Sequence, residues 1–210
     1  MQSDEPTIPE GVEEALVRAG FGRGDDVAAL IERNLRANVA RHRVLALRAG
    51  AHQSLLTPGA WLTALGDPDV EVRRETLTLL AYEEIGDERI FSGIIDALRD
   101  DDALVVDAAA FASGEHLRGD AVDELIVVAT GHDDARCREA AIAALGAIGD
   151  DRGRGAVLAA LEDKPPVRRR AIVALSNFEG PDIESALQRA AQDRDWQVRA
   201  AVDQLTRDDD

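Results

Sequence analysis

The sequence predicts an all-α fold: a right-handed α-solenoid of about six two-helix repeats with an N-terminal capping helix. Three observations carry this. First, a phrase recurs about every thirty residues, as "VRRETLTLLAYEE" at 72–84, "CREAAIAALGAIG" at 137–149 and "VRRRAIVALSNFE" at 167–179. Such a period is the mark of stacked modules. Second, each phrase is apolar at helical spacing, as in Cys137, Ala141, Ala144 and Leu145, or Val167, Ala171, Ala174 and Leu175. Third, 45% of the residues are apolar but only 3% are aromatic, so Ala, Leu, Val and Ile must fill the core. Alanine is also the strongest helix former.

In chain order, residues 1–24 form a tail and a capping helix, with "VEEALVRAG" at 12–20 as the amphipathic segment that covers the open N-terminal end. The solenoid spans 25–207, with hairpins at 25–50, 59–85, 87–114, 120–148, 151–179 and 181–207; residues 208–210 are a disordered tail. The second helices are set by the landmarks Val39, Val72, Val105, Cys137, Val167 and Val198, separated by 33, 33, 32, 30 and 31 residues. The first helices read "DVAALIERNL", "AWLTAL", "RIFSGIIDAL", "AVDELIVVA", "GAVLAALE" and "IESALQRAA". Asp69, Asp102, Asp134 and Asp195 each lie three residues before a landmark, where an aspartate accepts from the free N–H groups of the helix start. Pro165 takes the first helical position in the fifth unit. Gly86, Gly119, Gly149 and Gly180 end the second helices, each followed within two residues by an Asp that begins the next unit.

Two-helix units with Asp, then Val-Arg, then Ala and Ala-Leu-Gly resemble HEAT repeats, specifically the short repeats of the bilin (phycobilisome) lyase type. The resemblance covers about residues 25–207 and implies a solenoid. It also implies a ladder in which a turn acid bonds an arginine of the second helix. On that pattern Asp67 pairs with Arg73, Glu162 with Arg168, and Asp193 with Arg199. Asn34 with Ala40, Asp100 with Val106, and His132 with Arg138 depart from it, which predicts breaks there. A related HEAT-fold family, that of deoxyhypusine hydroxylase, holds iron through repeated His-Glu pairs. The matching position here reads Arg138-Glu139, and Glu115-His116 has the order reversed, so no metal and no cofactor are expected.

The formal charge is −17, which disfavours nucleic acid and anionic lipid. Cys137 is the only cysteine; at a landmark position it reads as a buried apolar residue, and no internal disulfide is possible. The start "MQSDEPTIPEG" lacks the regions of a signal peptide, and no apolar run suits a membrane span, so a cytoplasmic monomer is expected. Lys164 is the only lysine among 24 basic residues.

The charge is distributed unevenly. The second helices carry eleven arginines against five acids, Glu71, Glu75, Asp107, Glu139 and Asp203, although the chain as a whole is acidic. Positions two and three after a landmark are expected to point into the groove of a concave face: Arg41, His42, Arg74, Glu75, Arg169 and Arg170. Arginine suits bidentate capture of carboxylate or phosphate. Trp61 reads as core, and Trp196, just after the capping Asp195, either closes the stack or anchors an interface. The expectation is a non-enzymatic scaffold or adaptor whose concave face takes another protein through an acidic or phosphorylated segment. The alternative is a lyase- or hydroxylase-type repeat protein that handles a cofactor or modifies a partner.

Overall fold

A computed structural model describes residues 11–22 and 25–208. These residues form thirteen α-helices and short 3₁₀ turns, with no strand among them. The expected N-terminal tail at 1–10 lies outside the described residues, as does 209–210 of the expected C-terminal tail. The last helix runs through Asp208, the first residue of that expected tail. The chain divides into two compact units, Met1–Leu79 and Leu80–Asp210.

The first unit holds α1 (Val12–Ala19), α2 (Asp25–Asn34), α3 (Ala40–His52), α4 (Pro58–Leu65) and α5 (Val70–Leu80), whose final residue begins the second unit. Leu16 of α1 packs with Leu45 and Ala46 of α3, so the amphipathic segment covers the α2–α3 hairpin. The second unit holds α6 (Glu88–Asp96), α7 (Ala103–Glu115), α8 (Val122–Gly131), α9 (Ala135–Ile148), α10 (Arg154–Ala159), α11 (Pro165–Leu175), α12 (Pro181–Ala190) and α13 (Trp196–Asp208). Its second helices α7, α9, α11 and α13 pack in sequence order, α7 on α9, α9 on α11 and α11 on α13.

Aspartate caps start these helices as anticipated. Asp69 accepts from Glu71 N at 2.9 Å, Asp102 from Leu104 N at 2.8 Å, Asp134 from Arg136 N at 2.9 Å and Asp195 from Gln197 N at 2.8 Å. Pro165 opens α11 behind Lys164. The landmarks Val72, Val105, Cys137, Val167 and Val198 are all 0–1% exposed.

Val39 is the exception. It is 50% exposed and stands at the N-cap of α3, where its side chain has no oxygen to accept from the helix N–H groups. The third residue of α3 is His42, and every other landmark is the third residue of its helix. The first hairpin is therefore shifted by three, and Val39 occupies the position that aspartate holds at α5, α7, α9 and α13.

Close approach between second helices is made by small residues. A Cβ on Gly146 would stand 2.5 Å from Ala174 Cβ, and one on Gly114 3.1 Å from Ala144 Cβ. Both glycines lie nine residues after their landmark, and the alanine they meet lies seven after the next one.

The ladder exists, but it joins neighbouring repeats. Arg43 clasps both oxygens of Asp67 at 2.7 Å, Arg138 those of Asp163 at 2.6 and 2.7 Å, and Arg168 those of Asp193 at 2.8 and 2.7 Å. Within a repeat the arginine reaches a backbone carbonyl. Arg73 donates to Asp67 O at 2.9 Å, and Arg199 to Asp193 O at 2.7 Å. The expected intra-repeat pairs Asp67–Arg73, Glu162–Arg168 and Asp193–Arg199 are thus corrected. Glu162 is exposed and its neighbour Asp163 forms the rung. A guanidinium six residues beyond the turn curls back over its own helix start, so its fork faces the following repeat. This also moves the break. His132 with Arg138 is no gap, because Arg138 donates to His132 O at 2.6 Å and pairs fully with Asp163. The substituted rung is Val106, 1% exposed, against His132, whose Nδ1 accepts from Asp134 N at 3.0 Å. Both partners are replaced together, so no charge is left stranded.

Candidate functional site

Most of the arginines counted on the second helices are already engaged. Besides the rungs, Arg48 clasps Glu75 through two bonds of 2.7 Å, and Arg136 holds the capping Asp134 at 2.6 Å. That pairing holds the Asp134 carboxyl down at about 2. Glu75, expected to face a groove, is 7% exposed, because it lies under Arg48; this expectation is corrected. His42 is half-buried at the landmark position of its helix. Arg41 is exposed, 3.8 Å from Glu13. Arg74 is half-buried on α5.

In the second unit, the exposed edges of the second helices form two adjoining grooves. The first, about 460 Å³, lies along α7 and α9 with Asp107, Phe111 and Glu115 on one side and Ala140, Ala143 and Ala147 on the other. The second, about 690 Å³, lies between α11 and α13 and is lined by Arg169, Arg170, Val173, Trp196, Gln197 and Gln204. Arg170 borders both and stands 3.7 Å from Glu139.

Helix starts set this geometry. Asp195 caps α13 and leaves Trp196 as its first residue, 67% exposed, turned into the groove instead of the core. Trp61, by contrast, is 6% exposed. Arg169 and Arg170 follow the ladder Arg168, so a buried rung, a half-buried cation and an exposed one succeed each other within one turn of α11. Of the residues named from sequence, Arg169, Arg170 and Trp196 line the α11–α13 groove, while the exposed pair Phe111 and Tyr82 was not named. The signal was available in the repeat register, since Phe111 stands six after Val105, where Ala143 and Val173 stand in the next two repeats.

Cys137 is 0% exposed, its Sγ 3.1 Å from Ala103 O, and burial pushes the thiol up to about 11. This is an inert core residue. His116 follows the end of α7 with Nε2 2.7 Å from Leu80 O, while Glu115 is exposed. Among the described residues no three His, Cys, Asp or Glu side chains gather to hold a metal, and no helix is long and apolar enough to cross a membrane.

Residues 138–163 match the family described as PBS lyase HEAT-like repeat. The chain carries a HEAT-like repeat. The match begins at the rung arginine Arg138 and ends at its partner Asp163. Comparison with curated proteins gives no match. Solved structures give many. The E. coli protein YibA is 17% identical, with a TM-score of 0.64 over 94% of this chain and 75% of its own. The CpcE–CpcF complex of phycocyanin lyase from Nostoc sp. PCC7120 is 21% identical, with a TM-score of 0.62 over 96% and 79%. A designed armadillo repeat protein in complex with the peptide (KR)4 is 11% identical, with a TM-score of 0.56 over 94% and 99%. At these identities the likeness concerns the fold, an all-α solenoid of HEAT-like hairpins.

Proposed function

We propose that this chain is a non-enzymatic binding scaffold that takes an extended segment of another protein along the second-helix face of its second unit. The observation that carries the reading is the α11–α13 groove, where an exposed Trp196 lies beside Arg169 and Arg170. A large aromatic left in water next to cations is the composition of a binding hot spot, not of a solvated helix. The arginines suit a carboxylate or phosphate, and the indole suits an apolar neighbour of that group. The acidic or phosphorylated segment expected from sequence is thus supported for this groove, with Arg169, Arg170 and Trp196 as its residues. A solenoid suits the task, because stacked repeats offer a long continuous surface. That a designed repeat protein of like fold is in complex with a peptide fits the same use.

The test is anisotropy of a labelled peptide carrying phosphoserine, two glutamates and a leucine, titrated with the full chain. Trp196 fluorescence gives a second readout, with buried Trp61 as a constant background. Binding is expected to weaken with salt, and to fall about tenfold or more in R169E/R170E and in W196A. Affinity unchanged in both variants refutes the reading.

A further inference from the structure

The α7–α9 groove has a different chemistry from its neighbour, and its occupant follows from it; the inference rests on the reading of this face as a peptide-binding surface. On α7, Asp107, Phe111 and Glu115 follow at four-residue spacing and so form one stripe along the helix. Opposite them α9 presents alanines, which leave a slot with an apolar floor. Phe111 is 39% exposed, and its ring lies 5.9 Å from that of Tyr82, 74% exposed. Single exposed aromatics are ordinary, but two in contact, one of them lining a groove, mark a contact surface.

The charge of the groove selects its guest. Asp107, Glu115 and Glu139 outnumber Arg136 and Arg170 along its walls, and Arg136 is held by Asp134. Asp107 and Glu115 have no ion-pair partner among the described residues, so the slot is net negative. Asp107 is half-buried, and burial pushes its carboxyl up, with Arg136 only opposing this in part.

We propose that this groove receives a lysine or arginine side chain of the bound segment, its stem on the alanine floor and its cation between the Phe111–Tyr82 rings and the Asp107 and Glu115 carboxylates. A long cationic side chain is the one type that suits all three surfaces, since its methylenes are apolar and its head is attracted to aromatic faces. An apolar guest would deepen the desolvation of Asp107 without a partner, and an acidic guest would meet like charge. The net charge of −17 also draws basic chains toward the protein. The segment recognised by the two grooves together is bipolar, with an acidic group at Arg169 and Arg170 and a basic one at Asp107.

The test uses the full chain and two labelled peptides, one with two arginines among glycine and alanine, the other the phosphoserine peptide. At physiological salt, Y82A, F111A and D107N are each expected to weaken the arginine peptide about fivefold and to leave the phosphoserine peptide unchanged. Tyr82 is 74% exposed, so its loss removes little beyond its contact with the Phe111 ring, and F111L retains bulk while it removes the ring. Arginine-peptide binding that ignores all of these variants is diffuse attraction to an acidic protein and overturns the proposal. So does no arginine-peptide binding while the phosphoserine peptide still binds, which leaves the scaffold reading standing. Failure of both peptides overturns both.

Discussion

Replacing Arg168 by methionine tests the ladder at its most enclosed rung. The Arg168 side chain is 5% exposed and that of Asp193 15%. The guanidinium donates to both Asp193 oxygens at 2.8 and 2.7 Å and to Asp163 O at 2.8 Å. Methionine keeps the stem and removes all three donors, which leaves the half-buried Asp193 carboxylate with the Asp195 N–H at 2.7 Å but without its guanidinium, and deprives the Asp163 carbonyl of a donor. Breaking one side of such a pair costs about 3 kcal/mol. At roughly 2–4 °C per kcal/mol for a chain of this size, Tm falls by about 6–12 °C. Urea and thermal unfolding give the magnitude, and hydrogen exchange gives the place. Amides of α12 and α13 should exchange faster while those of α7 and α9 hold, because each repeat leans only on its neighbours. R168M/D193L should recover at least half of the loss, since an apolar pair strands no charge. The Val106–His132 position, where both partners are already replaced, is a natural instance. R168M within about 0.5 kcal/mol of wild type, well under the cost of a broken buried pair, refutes the ladder as a source of stability.

The same rungs set an acid limit. Arg138 and Arg168 lower the carboxyls of Asp163 and Asp193, so the unfolded chain takes up these protons first. Stability is full above the unfolded value near pH ~4 and is lost as pH falls below it; R168M should show a shallower loss in urea titrations from pH 7 to 2.5. G146A is expected to destabilise by about 2 kcal/mol, because its methyl would stand 2.5 Å from Ala174 Cβ. Alanine's helix propensity predicts the opposite sign, so one thermal melt decides. The Cys137 thiol, raised to about 11, should resist a thiol reagent at pH 8 in the native state and react only at the rate of unfolding. Fast labelling of the folded protein would place that side chain elsewhere.

The capping aspartates, Pro165, the buried landmarks and the helix pairs were legible because they depend on residues a few positions apart. The same locality explains the failure at Val39: a valine suits a landmark by type, and only the start of α3 shows that His42 holds that position. The ladder acids and arginines were also recognised by type, yet their pairing was not. A guanidinium can reach its own turn or the next repeat over similar distances, and spacing along the chain does not distinguish them. Counting arginines as a positive groove failed for a related reason, since a charge tally cannot see that Arg43, Arg48, Arg138 and Arg168 are each spent on one carboxylate.

By itself, then, the amino-acid order determined that this chain makes short helices with one oily stripe each, and that these must stack to cover it. Periodicity and caps are local properties, and burial follows from them. Tertiary structure alone decided which charges cancel and which remain in water. It brought Trp196 beside Arg169 and left Phe111 against Tyr82. A binding surface consists of what neighbouring repeats leave unsatisfied, and that remainder exists only once they are packed.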